Sequence, residues 1–353
     1  TYAYEDLNKN DSDRFEYIFP KIELIKKIDN KTNLDGEFTF NFKTESKNYN
    51  TNVFEAKNTN ELLFSSFPKI TDQGFYNNYE FLIKNSNTDA RNSSSLKNKE
   101  SMYLSGIMQL NSSLPLIKEN NNYKNIFNPK LALKIAPNHT KDYRNENDRI
   151  DINNIYSLYR NVRQDSVEGG VSLTYGSDFS VFNKKNSLET FNFKIANNLR
   201  FDDNDDLPRT SQIDEKTSSI LNEISYQPYE IFKIEYSSSI KNNLSEINYE
   251  NLKTEFKINN LVTNFSYLNQ NELNDTNSYL TNMTTLKLDN DNQLSFSTRR
   301  NKTIDLTEYY NLAYQYKNDC LSASIEYNKE YYSDRDIKPN EAISFKLTIV
   351  PFY

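Results

Sequence analysis

The sequence predicts an all-β protein, an antiparallel transmembrane β-barrel laid out as a meander of about 17 strands. Three observations predict it. Apolar and polar residues alternate with period two in one segment after another, and helix-period stretches are nearly absent. The apolar residues are few but large, since hydrophobic residues make up only 36% of the chain while aromatics alone make up 14%. Clusters of Asn, Asp, Ser and Lys punctuate the alternation as turns would.

Taken in order, Phe38, Phe40 and Phe42 alternate with Thr39 and Asn41. Val171, Leu173 and Tyr175 follow, then Phe191, Phe193 and Ile195. Phe232, Ile234 and Tyr236 alternate with Lys233 and Glu235, and Leu252, Thr254, Phe256 and Ile258 with Lys253, Glu255 and Lys257. Leu294, Phe296 and Thr298 precede Leu312, Tyr314 and Tyr316, then Leu321, Ala323, Ile325 and Tyr327. The last segment places Ile343, Phe345, Leu347 and Ile349 between Ser344, Lys346 and Thr348, before Pro351, Phe352 and Tyr353. Period two gives each strand one apolar and one polar face. LDNDNQ (288–293) and IKNNLSE (240–246) read as hairpin turns. There Asn and Asp are expected to supply the left-handed conformations usually left to Gly, of which the chain has 6. The longest polar interruptions, 138–165, 202–216 and 86–99, read as long loops at one end of the sheet. No linker is visible, so residues 1–353 are expected to form a single domain.

A water-soluble sandwich would show the same period. Its core, however, would interleave large and small residues, whereas this apolar face is heavy in Phe and Tyr, like the aromatic girdles of membrane barrels. The other face carries Lys, Glu, Asn and Ser, which suits a hydrated lumen. Lys194, Lys253, Glu255, Arg299 and Glu326 fall on that face. A meander of this length also needs closure to dispose of its edges. On the last strand, four lipid-facing side chains would contribute roughly 6–12 kcal/mol. A one-residue slip would instead turn Lys346 to lipid at a cost of about 2–4 kcal/mol.

Several function classes are excluded. A net charge of −7 with scattered basic residues argues against nucleic-acid binding. One histidine, His139, rules out a paired-His metal motif and a His-based triad, and reads as a solvated loop residue. The acidic runs DDNDD (202–206) and NENDRID (145–151) lack the spacing of a calcium loop. Nothing supports catalysis or a cofactor.

Three stretches carry a family resemblance. NNIYSLYRNVRQDSVEGGVSLTYG (153–176) resembles a motif segment of the lipopolysaccharide-assembly outer-membrane protein family LptD, the organic solvent tolerance proteins. Asp165, Glu168, Gly170, Tyr175 and Gly176 match that motif, with Gln164 where the family often has Gly. LTEYYNLAYQYKNDCLSASIEYNKEYYSDRD (306–336), with Glu308, Tyr309 and Cys320, is similar to the family's near-terminal strand pair. LTIVPFY resembles its closing strand, and GEFTFNFKTESKNYNTNVFEAKNTNELLF its mid-barrel strands.

The resemblance implies a Gram-negative outer-membrane translocon that inserts lipopolysaccharide into the outer leaflet through a lumen and a lateral seam. It implies that this chain is the C-terminal portion of a larger barrel, without the family's signal peptide and periplasmic jelly-roll domain. One lip of the seam would be the terminal strand, Ile343–Tyr353. Cys320 would pair with a cysteine of the absent N-terminal domain. The implied partners are lipopolysaccharide, an LptE-like plug lipoprotein, the periplasmic lipopolysaccharide-transport bridge, the barrel-assembly machinery and outer-membrane lipid. A passive porin or receptor barrel is the alternative, which a constriction loop within 138–165 would favour. A soluble β-rich adhesin is the other.

Overall fold

A computed structural model of the chain describes residues 2–5, 15–49, 53–94, 96–138, 140–142, 144, 149–160, 166–272, 275–331 and 338–349. His139, Asp165, Pro351, Phe352 and Tyr353 lie outside the described residues. The chain divides into two compact units, one of residues 1–116, 128–177 and 196–219, the other of 117–127, 178–195 and 220–353.

The described residues form 20 strands and no α-helix. The first eight are β1 (Tyr2–Glu5), β2 (Phe15–Ile28), β3 (Gly36–Tyr49), β4 (Phe54–Ser66), β5 (Lys69–Ile70), β6 (Tyr76–Arg91), β7 (Ser101–Ser113) and β8 (Leu116–Glu119). β9 (Tyr123–Ala136), β10 (Gly170–Asn183) and β11 (Glu189–Arg200) flank the two longest connections. The rest are β12 (Ile220–Tyr229), β13 (Phe232–Ile240), β14 (Ile247–Ile258), β15 (Leu261–Glu272), β16 (Asp275–Lys287), β17 (Asn292–Asn301), β18 (Leu306–Lys317), β19 (Leu321–Glu330) and β20 (Asn340–Ile349). The expected strands are matched by the 17 of nine residues or more; the remaining three have only two to four residues.

In the first unit, β2, β3, β4, β6, β7 and β9 pair antiparallel in that order. In the second, each strand from β12 to β20 pairs antiparallel with the next. The register keeps like faces together. Phe38, Phe64 and Phe81 stand in one row across β3, β4 and β6, and Phe40, Leu62 and Ile83 in the next. On the opposite face, Leu63 stands across from Leu82 between those rows, and Glu61 from Lys84 just beyond the second. In the second unit, Phe296, Leu312 and Tyr327 form an apolar row, and Ile325 stands opposite Phe345.

Three expectations need correction. Residues 86–91 belong to β6 rather than to a loop, because β4 supplies backbone partners as far as Phe54↔Arg91. Backbone pairing sustains the strand there although its side chains are polar on both faces. The turns also work differently. Only Asn92, Asn259 and Asp305 among Asn and Asp adopt positive φ among the described residues. More often the side chain folds back on the backbone: Asp289 Oδ1 accepts from the amides of Asp291 (2.9 Å) and Asn292 (2.8 Å). Asn318 Oδ1 accepts from Cys320 (3.0 Å) and Leu321 (2.8 Å), and Asn120 Oδ1 from Asn122 (2.9 Å) and Tyr123 (2.7 Å). Such side-chain turns replace glycine without left-handed backbone. Finally, the connection between β9 and β10 does not simply extend from the sheet's end. Its described residues 149–160 and 166–169 fold onto the polar face of the first unit, where Leu158 and Val167 pack with Leu82 and Ile107.

Candidate functional site

The polar face of the first unit and the segment folded onto it form the candidate site. The segment is shaped locally by Asp151, whose Oδ1 accepts from the amides of Asn153 (2.8 Å) and Asn154 (3.1 Å). Asn154 Oδ1 returns a bond to the Asp151 amide at 2.9 Å. This tight turn places Ile150, Ile155 and Leu158 inward, all buried. Ser211 of the 201–219 connection holds the segment from the other side: its Oγ accepts from Ile150 N (3.2 Å) and donates to Ile150 O (3.1 Å). Leu207 and Ile213 of that connection are fully buried beside hydrogen-bonded polar groups.

At the centre stands Arg160, 1% exposed. Its Nε donates to Glu168 Oε2 at 2.6 Å and its Nη2 to Glu168 Oε1, a bidentate pair. The remaining donors reach Thr174 Oγ1 (3.0 Å), Asn198 Oδ1 (2.9 Å) and Ser172 Oγ (3.1 Å) on β10 and β11. Arg200 Nη1 also donates to Glu168 Oε1 (2.7 Å), and its Nη2 donates to Gly169 O. Lys134 Nζ completes the group at 3.4 Å from Glu168 Oε2. Burial opposes ionisation of Glu168, but Arg160, Lys134 and Arg200 outweigh it and hold the carboxyl well below the ordinary range. Gly170 has φ +90°, and a Cβ there would lie 2.8 Å from Arg200 Nη2. Only glycine lets the chain pass the guanidinium. Nearby, Lys84 pairs with Glu61 (2.9 Å) and donates to Ser166 O (3.2 Å), while Gln109 Nε2 donates to Tyr156 O (2.6 Å).

Of the residues singled out from the sequence, Glu168 and Gly170 therefore come together, with Arg160 between their strands and the loop. Tyr175 instead lies on the apolar face, 46% exposed, its hydroxyl donating to Asn197 Oδ1 at 3.4 Å. Gly176 follows it in β10. The polar face of the second unit presents paired charges: Lys194 with Glu223 (2.7 Å), Glu255 with Lys257 (2.7 Å) and Lys346 with Glu326 (3.0 Å). Lys253 stands across the strand pair from Glu235. Glu308 is buried and accepts from Arg299 Nε and from Asn301 Nδ2 (3.3 Å). Tyr309 and Tyr279 offer their rings to the same Arg299 guanidinium at 5.6 and 5.2 Å. Cys320 is a half-buried free thiol in the β18–β19 turn. The terminal-strand residues Ile343, Phe345, Leu347 and Ile349 are 54–76% exposed. Among the described residues no three acidic, His or Cys side chains gather as a metal site. In the two acidic runs, Asp206 is taken by Arg144 (3.1 Å) and Asp151 by its turn amides.

Sequence reasoning missed Lys84, Gln109, Lys134 and Arg200. Each sits on a strand whose polar face reads as water-lining, and only the returning segment buries it. Arg160 lies within the 153–176 motif segment, and its spacing to Glu168 is the signal that points to it.

A family described as LptD, LPS transport system D, matches residues 1–301. The chain belongs to the LptD family. As an LptD-family member it handles lipopolysaccharide and resides as a β-barrel protein in the outer membrane of a Gram-negative bacterium. The matched span includes the Arg160–Glu168–Arg200 cluster, whereas Cys320 and β20 lie beyond it. No curated protein matches the chain. Among solved structures, a mutant Rh. blastica porin is similar at 7% identity over 93% of this chain and 96% of the porin, with TM-score 0.34. The ferric enterobactin receptor PfeA of Pseudomonas aeruginosa is similar at 9% identity over 94% of this LptD-family chain and 61% of the receptor, with TM-score 0.44.

Proposed function

We propose that this chain is the C-terminal barrel portion of a translocon that inserts lipopolysaccharide into the outer leaflet. The sugar part of the lipid crosses along the charged, hydrated face while its acyl chains follow the apolar face to a lateral seam at β20. The observation that carries this reading is the two-faced sheet within a family of lipopolysaccharide transporters: one face bears paired charges and the other an exposed apolar surface. No covalent chemistry is required, so the protein is not an enzyme. An LptE-like lipoprotein fills the lumen beside the docked segment, and the barrel-assembly machinery reads the terminal strand.

Cys320 lies at the end of the sheet where the connections are shortest, level with Leu321↔Ile349 at the end of β20. In outer-membrane barrels short turns face the oxidising periplasm. We assign it one half of a disulfide to a periplasmic segment outside this chain. On non-reducing gels, Cys320→Ser should abolish a mobility difference seen in the full-length protein; absence of that difference in the wild type sinks the assignment.

A porin reading draws on the segment folded onto the polar face, as a constriction loop would be. Its arginine is buried against Glu168 rather than lining water, which speaks against it. The deciding experiment depletes the protein in cells and measures lipopolysaccharide on the intact surface by antibody binding. Loss of newly exported lipopolysaccharide supports the translocon. Normal export with reduced uptake of small solutes would establish the porin instead.

A further inference from the structure

The apolar face of the first unit carries a cluster of four asparagines on β4 and β6. Following rows across β2, β3, β4, β6 and β7 from the short-turn end, the first is apolar throughout, and the second is apolar across β3, β4 and β6, with Lys26 on β2 and Gly106 on β7. The third runs Leu24, Phe42, Asn60, Asn85, Leu104 and the fourth Ile22, Thr44, Asn58, Asn87, Met102. Four asparagines thus stand on two adjacent strands, flanked by Phe42 and Leu104 in the third row and by Thr44 and Met102 in the fourth. Successive rows lie about 6.8 Å apart along the strands. An apolar band about 25 Å tall therefore still includes the Asn60–Asn85 row and ends near the Asn58–Asn87 row.

The asparagines partly satisfy one another. Asn60 Nδ2 donates to Asn58 Oδ1 (2.8 Å) and Asn85 Oδ1 (3.3 Å), and Asn87 Nδ2 donates to Asn85 Oδ1 (2.7 Å). Asn58 Nδ2 has no partner among the described residues. A recess of about 490 Å³ opens beside this pair, lined by Thr44, Asn58, Asn87, Asp89 and Met102. That volume is in the range of small-ligand sites. An amide left unpaired at the edge of the apolar band is unfavourable, so the notch calls for a polar occupant there.

The charged groups lining the recess are Lys57, Asp89 and Glu100, a net negative set that disfavours phosphate. Neutral amides exchange hydrogen bonds with hydroxyls. β6 and β9 both run toward the long connections, so the notch lies at the end that faces outward in outer-membrane barrels. We propose that this notch binds the uncharged, hydroxyl-rich head of an outer-leaflet lipid as a resident ligand, its acyl chains lying along Phe42, Leu62, Ile83 and Leu104. The proposal rests on outer-membrane placement and is independent of the transport reading.

The test is native mass spectrometry of the full-length protein in an amine-oxide detergent. Monogalactosyl diacylglycerol and phosphatidylglycerol with identical acyl chains are added in turn. The wild type should retain the galactolipid at least tenfold more than the phospholipid. The triple substitution Asn60→Leu, Asn85→Leu, Asn87→Leu should abolish that preference. So should Met102→Trp, which fills the recess from a position 72% exposed and leaves the asparagines intact. Equal retention of the two lipids by the wild type, or an unchanged preference in a folded Met102→Trp protein, overturns the proposal.

Discussion

At the scale of single residues, the chain concentrates its electrostatic stakes in Arg160 and Glu168. Replacing Arg160 with Met strands a buried carboxylate whose remaining partners are Arg200 and Lys134. Breaking a buried pair in this way costs about 3–5 kcal/mol. Limited proteolysis should therefore cut within 149–160 in Arg160→Met under conditions that spare the wild type. Glu168 also sets a pH dependence. Its native pKa is depressed, so its contribution to docking is complete above the ordinary glutamate range. That contribution declines as pH falls from there toward the native value. Protease sensitivity of the segment should rise on acidification below that range, and Glu168→Gln should remove the dependence. This part of the site was half legible from sequence. The motif marks Glu168 and Gly170, but nothing local marks Lys134 in LALKIA, which reads like any other lumen-facing lysine.

At the scale of elements, the strands were legible because period two is a local property. Ile343, Phe345, Leu347 and Ile349 announce their face whatever surrounds them. β6 beyond Asn85 was not legible, because a strand polar on both faces carries no period and only its pairing to β4 defines it. The short β5 and β8 were missed for want of length. The face assignment makes a sharp comparison on β18. Leu312, 44% exposed in the row of Phe296 and Tyr327, should tolerate arginine poorly. Leu312→Arg should lower folding stability in lipid bilayers by about 2–4 kcal/mol near the midplane. Its neighbour Ala313, on the polar face, should accept Arg within about 1 kcal/mol. Guanidinium titration of both variants in liposomes checks this; equal losses would mean the faces are misassigned.

At the scale of the whole molecule, the docked segment should restrict passive flow through the barrel. Cells carrying a protein without residues 150–160 should become sensitive to vancomycin, which the intact outer membrane excludes. Unchanged sensitivity would show that the segment does not obstruct the lumen. This level was the least legible in the sequence. The stretch 138–165 is as polar as an exposed loop, and its inward fate is decided by partners up to 82 residues away, as in the Lys84–Ser166 bond. The same partners dictate an order of events. Glu168 meets Lys134 of β9 and Arg200 of β11, and Arg160 bonds to β10 and β11. Arg160 and Glu168 can pair within the segment, but Lys134 and Arg200 reach that carboxylate, and Arg160 its remaining acceptors, only when all three strands are side by side. The segment is therefore the last piece to settle, and its closure acts as a built-in report that this part of the sheet has zipped in register.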